Sequence, residues 1–140
     1  TDPAWRTLPL QLLSGQSHTA LAACDQTLIA SGTATLEGAL FKRPMVIAYR
    51  LAPLSYRMMK NKAYQPWFGL PNILAGEFLV PEFIQDAATP QALAEAMVRQ
   101  HDDASGRERL VARFAEMHHV LAQGCARRVA ETVLDDLSRA

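Results

Sequence analysis

The sequence predicts an α/β fold, a Rossmann-like parallel sheet with helices on both faces that ends in a long C-terminal helix. Three observations predict it. Met45-Val46-Ile47-Ala48-Tyr49 is nearly all apolar, the pattern of a strand covered on both faces. Strand-like and helix-like stretches alternate from 10 to 49, which in one sheet means successive right-handed crossovers. Beyond residue 107, Leu110, Phe114, Met117, Leu121, Cys125, Val129, Val133 and Leu137 recur at three- and four-residue steps, one face of a long helix.

Each element has its own signal. Pro3 and Pro9 mark 1–9 as a linker or remnant. Leu10-Gln11-Leu12-Leu13 reads as a short strand stopped by Ser14-Gly15. The Ala-rich run 18–24 is a short helix, Asp25-Gln26 a turn, 27–30 a strand and 33–42 a helix. Pro44 precedes the strand at 45–49, and Pro53 fits the start of a helix over 54–62. Pro71 and Asn72 interrupt the apolar run from Phe68, predicting an edge strand or strand end, since Pro cannot donate to a central ladder. Pro81 opens a short helix over 81–85. Thr89 caps a helix that begins at Pro90 and runs to about His101, and 101–106 is a turn. The last helix is kinked at Gly124 and is too long for one small sheet. The domain division is therefore 1–9 linker, 10–104 ligand-binding domain and 105–140 helical segment.

Composition narrows the function classes. The 140 residues suffice for one core, and 49% apolar with 20% charged side chains is ordinary for a globular chain. The 14 basic and 14 acidic side chains balance, which argues against a nucleic-acid surface. Two cysteines form no framework, and with no signal peptide or membrane-spanning run the expected compartment is the cytosol. The chain opens Thr1-Asp2-Pro3 without Met and is expected to be a piece of a longer protein.

The chemistry centres on Ser31, Gly32, Thr33, Ala34 and Thr35, between a strand and a helix, with Glu37 on the first turns that follow. A helix N-terminus carries unpartnered N–H groups and partial positive charge, so at the carboxyl end of a strand it is a ready anion site. Gly32 lets backbone approach a ligand closely. These residues point to a phosphate or pyrophosphate turn, while an ordinary capped helix accounts for them equally. The turn has neither the P-loop nor the dinucleotide pattern. Ser14-Gly15 and Tyr49-Arg50 would meet it along the carboxyl edge of the sheet.

Residues 50–68 carry Arg50, Arg57, Lys60 and Lys62 without an acid, interleaved with apolar side chains. They suit either a lipid-facing surface or a helix packed on the sheet with its cations in water. In Leu70-Pro71-Asn72-Ile73-Leu74-Ala75-Gly76-Glu77, Asn72 and Glu77 fall at a turn and Gly76 permits close approach. Adjacent His118 and His119 point to different faces and make no metal pair.

The run Ser31-Gly32-Thr33-Ala34-Thr35-Leu36-Glu37 combines with Pro44-Met45-Val46, Tyr49-Arg50, Leu70-Pro71-Asn72-Ile73-Leu74-Ala75-Gly76 and Leu79-Val80-Pro81-Glu82. Together these stretches resemble the lipid-A-disaccharide synthase family, over about 10–100, with the last helix fitting the family's C-terminal end. Many members have Gly-Arg-Glu where this chain reads Gly76-Glu77-Phe78, so any donor or phosphate contact of that Arg is absent here. The resemblance implies the C-terminal half of a GT-B fold in an inverting glycosyltransferase. Its donor is UDP-2,3-diacylglucosamine, its acceptor 2,3-diacylglucosamine 1-phosphate, and its products the lipid A disaccharide 1-phosphate and UDP. It also implies work at the cytoplasmic face of the inner membrane of a Gram-negative bacterium, without a cofactor or essential metal.

On this resemblance Ser31, Gly32, Thr33, Ala34 and Thr35 would hold the UDP pyrophosphate and Glu37 the ribose hydroxyls. The backbone of Ser14, Gly15 and Gln16 would face uracil. Arg50, Asn72, Gly76 and Glu77 would border the donor sugar or diphosphate. The catalytic base and the acceptor site would lie in an N-terminal half outside this chain, so the fragment alone would not turn over. Residues 50–68 would contact the membrane surface, and the C-terminal helix would pair two copies. The competing functions are the donor domain of another GT-B UDP-GlcNAc transferase or epimerase, and a non-catalytic α/β interaction domain.

Overall fold

A computed structural model describes residues 7–30, 32–52, 54, 56 and 65–139. Helix α1 (Ser17–Ala23) leads to β1 (Thr27–Ala30), α2 (Thr33–Leu40) and β2 (Met45–Tyr49). Then follow α3 (Leu70–Ala75), β3 (Glu82–Ile84), a short 3₁₀ turn (Gln85–Ala87), α4 (Pro90–Asp102), α5 (Ala104–Leu121) and α6 (Cys125–Arg139). The sheet is parallel throughout in the order β1-β2-β3. Thr27 pairs with Met45 and Ala30 with Ala48, while Ile47 pairs with Glu82 and Tyr49 with Ile84.

The apolar run that predicts β2 also fixes the core. Successive side chains of a strand point to opposite faces. Met45 and Ile47 are buried with Ala39, Val80, Leu110 and Phe114. Val46 points the other way and is equally buried, so both faces of the central strand are covered. Helices α2, α3 and α5 pack on one another, and α4 packs on β2 and α5. The Gln100 side-chain amide donates to the Met45 carbonyl at 3.1 Å, tying α4 to the start of β2.

Helix ends follow local chemistry. Helix α2 stops in a Schellman turn: Lys42 N–H donates to Ala39 O and Arg43 N–H to Gly38 O. Lys42 takes the left-handed position there, at φ 58°. Arg43 then caps the carbonyls of α1, with Nε donating to Leu21 O at 2.8 Å and Nη2 to Ala22 O at 2.6 Å. Thr89 caps α4 as its sequence predicts, accepting from Ala92 N–H at 3.2 Å.

Several expectations are overturned. Residues 10–13 form no strand, and Leu12 is 98% exposed, because nothing pairs with them beside β1. The stretch from Leu70 is a helix, not a strand end: Pro71 sits in its first turn, where a missing N–H costs nothing. Gly76 ends that helix in the left-handed conformation at φ 69°. Pro81 opens a strand instead of a helix, since Ile47 N–H takes the Pro81 carbonyl at 2.9 Å and draws Glu82 into the sheet. The turn at 101–106 shrinks to Asp103, whose carboxylate starts α5 by accepting Gly106 N–H at 2.8 Å. The last long helix is two: Gly124, at φ 68°, breaks the right-handed path between α5 and α6. The helix expected over 54–62 lies largely outside the described residues.

Candidate functional site

The first turn of α2 forms at the carboxyl end of β1, where a parallel sheet presents its ligands. Its N-cap is Gly32, at φ 137° and ψ −164°, a conformation open to glycine and strained for other residues. Glycine brings no side-chain oxygen to the orphan N–H groups of the turn. Thr35 does not supply one either. Its hydroxyl donates to Gly32 O at 2.7 Å and accepts from Leu70 N–H at 3.3 Å, and the side chain is fully buried. Gly32, Thr33 and Ala34 are exposed. The side-chain cap expected as the plain alternative is therefore not made by Thr35, and the partial positive charge of the helix end faces outward. Ser31 lies outside the described residues.

Helix α1 delivers the next residues. Its first-turn His18 places Nε2 at 3.5 Å from Glu37 Oε2 on α2, and the His18 ring leans on Phe41 at 5.6 Å. Ser14, Gly15 and Gln16 immediately precede that turn and are exposed, with Gly15 at φ 67°. The His18–Glu37 contact thus sets the first turn of α1, and the exposed 14–16 that precede it, beside α2. Arg50 follows β2 at the same edge, its guanidinium 3.9 Å from Asp86 Oδ1 with both side chains largely in water. So exposed a pair is worth little.

The helix α3 motif behaves differently. Asn72 is fully buried and spends its amide inside the protein. Its Nδ2 donates to Val80 O at 2.8 Å and to Glu82 Oε1 at 2.7 Å, and its Oδ1 accepts from Val80 N–H at 3.0 Å. Glu82 also accepts from Phe68 N–H and Gly69 N–H, each at 2.8 Å. The N-terminus of α3 is thus already filled by a carboxylate of the chain, whereas among the described residues no side chain caps that of α2. Gly69 lies against the Ile47 side chain, which would have to shift to admit a Cβ there. Gly76 and Glu77 lie at the other end of α3, about 9 Å along its axis from Leu70. Glu77 accepts there from Arg113 Nη2 of α5 at 2.7 Å.

Sequence reasoning missed Glu82 and Gln85 as working residues. Glu82 left one signal, an acidic residue opening an otherwise apolar strand. Gln85 left none. Its side-chain amide accepts from Leu51 N–H at 2.7 Å and donates to Leu51 O at 3.1 Å. At the opposite edge of the sheet, Asp25, Lys42, Arg43, His101, Arg107 and Glu108 line a cavity of about 480 Å³. Its cations are already spent on carbonyls: Arg43 on α1, Lys42 on Leu40, Arg107 on Gln100. Among the described residues no three His, Cys, Asp or Glu side chains gather to hold a metal, and no helix is long and apolar enough to cross a membrane.

Fold and site together define an α/β protein of Rossmann-like type whose described residues leave the N-terminus of α2 exposed at the carboxyl edge of the sheet. The family model of lipid-A-disaccharide synthetase matches residues 4–133, and the chain belongs to that family. It is similar to the lipid-A-disaccharide synthases of Thiobacillus denitrificans (53% identical, covering 95% of this chain and 36% of that protein) and Azotobacter vinelandii (54%, 96% and 35%). That of Pseudomonas aeruginosa is 55% identical, covering 94% of this chain and 34% of its own length. The chain spans about a third of the length of these relatives.

Proposed function

We propose that this chain is the UDP-sugar-binding part of a lipid-A-disaccharide synthase. The full protein would transfer the sugar of UDP-2,3-diacylglucosamine, with inversion, to 2,3-diacylglucosamine 1-phosphate. The observation that carries the reading is the open N-terminus of α2, capped by a glycine and exposed at the carboxyl edge of β1. The backbone of Gly32, Thr33 and Ala34, with Ser31, would bind the pyrophosphate. Thr35 would shape the turn by its two internal bonds. Glu37 would accept from the ribose hydroxyls, and Ser14, Gly15 and Gln16 would face uracil. Arg50 would add a cation at the diphosphate, where charge develops as UDP leaves. Asn72 would act by building the Leu70 turn. Gly76 and Glu77, at the far end of α3, carry no donor contact in this reading.

The remainder of the protein would bring the acceptor and the general base. In this reading 10–104 is the donor-binding unit, 1–9 leads into it, and 105–140 is a helical segment rooted in the core by Leu110 and Phe114. The working place would be the cytoplasmic face of a Gram-negative inner membrane, with 50–68 against the lipid surface. The exposed Val129, Val133 and Leu137 of α6 support its pairing with a second copy.

Calorimetric titration of UDP into the full-length protein, beside Glu37→Ala, tests the reading. Saturable binding that weakens about tenfold in the variant is expected, the scale of hydrogen bonds to a charged acceptor. Absence of UDP binding by a folded sample would reject it and leave an interaction domain. Equal preference for UDP-GlcNAc without acyl chains would favour another transferase or epimerase.

A further inference from the structure

The last backbone pair between β2 and β3 is Tyr49 with Ile84. One step further, the chain of β3 turns away through Gln85, which holds φ 56°, a region that side chains other than glycine rarely adopt. The turn aims the Gln85 amide back at Leu51. Oε1 accepts from Leu51 N–H at 2.7 Å, and Nε2 donates to Leu51 O at 3.1 Å. Engaging both backbone groups of one residue is what a neighbouring strand does. Gln85 therefore continues the ladder by one step with a side chain. Arg50 lies between the last backbone rung and this added one, so its Cα is fixed from both sides while its guanidinium stays exposed.

We propose that Gln85 is a positioning residue that sets Arg50 at the ligand edge for an anionic diphosphate. The inference rests on the reading of Arg50 given above. The chemistry requires an amide. A carboxylate in its place could accept from Leu51 N–H but would set an acceptor against Leu51 O. Glycine would relax the backbone and lose both bonds.

The test is a double-mutant cycle on the full-length protein, reading UDP affinity by calorimetry and folding by circular dichroism. The variants are Gln85→Glu, Gln85→Gly, Arg50→Ala and Arg50→Ala combined with Gln85→Glu. Each Gln85 variant should weaken UDP binding about two- to tenfold, the range for loss of a hydrogen bond. The combined variant should bind no worse than Arg50→Ala alone, because Gln85 acts through Arg50. Gln85→Glu keeps size and one bond, so it stands if the glycine variant does not fold. Independent, multiplicative losses would overturn the proposal, as would full UDP affinity in a folded Gln85→Glu variant. Arg50→Ala with unchanged UDP affinity would overturn it while leaving the Gly32 turn intact. Wild-type protein that binds no UDP would instead reject the donor reading itself.

Discussion

Asn72 and Glu82 share one hydrogen-bond network that reaches Phe68, Gly69 and Val80. A buried amide with every partner in place adds modestly to stability, but removing it strands groups that cannot reach water. Asn72→Ala would leave Val80 N–H and Val80 O without this partner inside the core. We expect it to lower the unfolding free energy by about 2–3 kcal/mol, read as a reduced urea midpoint with an unchanged slope. The residue type is legible in the sequence, but its role is not. Asn72 and Glu82 stand ten positions apart, and only the crossover from α3 to β3 brings their side chains together. The same holds for Thr35: its hydroxyl marks a helix start, but its orientation is set by Leu70, which is remote in sequence. Polar residues in a turn announce hydrogen bonding without saying whether the partner is a ligand or the chain itself.

Elements were legible where a stretch carries its own pattern. The all-apolar β2 and the Thr89-Pro90 start of α4 are local signals, and both elements form as read. β3 has three residues and no pattern; it exists because β2 offers Ile47 as a partner. Leu10 to Leu13 look more strand-like yet find no partner. Strand identity here is decided by pairing, and the starts of α4 and α5 by side-chain caps. The joint between α4 and α5 shows the second rule. Gly106 N–H, the Ser105 hydroxyl and nearby Arg109 and Arg107 hold the Asp103 carboxyl below its ordinary value of 3.8, the backbone bond being the largest cause. A depressed folded-state value adds stability above the unfolded value, which is lost as pH falls through the folded one. Asp103→Ala should therefore lower the thermal midpoint near neutral pH. The gap between variant and wild type should narrow as pH falls below 3.8. Asp103→Asn, which keeps a capping oxygen, should lose less at neutral pH.

At the scale of the molecule, the core ends before the chain does. Among the described residues Leu110 and Phe114 are the last buried apolar side chains, and every described side chain of α6 is exposed. Removing 125–140 should shift the thermal midpoint of this chain by less than about 2 °C, since few buried contacts leave with it. The same truncation should abolish concentration-dependent association in sedimentation experiments if α6 pairs copies as proposed. Its amphipathic pattern was plain in the sequence. The break at Gly124 was legible only as a bend, because glycine in a helix and glycine past its end look alike until its backbone conformation is known.

The sequential strand order has a consequence for how this fold can change. Joining β2 to β3 closes a loop about twice as long as the one joining β1 to β2. Each doubling of a flexible loop costs only about 0.6 kcal/mol of closure entropy. The two ends of the β2–α3 connection are pinned by the chain itself, with Gln85 holding Leu51 and Glu82 holding Gly69. With both ends held in this way, a change in length between them need not disturb the sheet beneath.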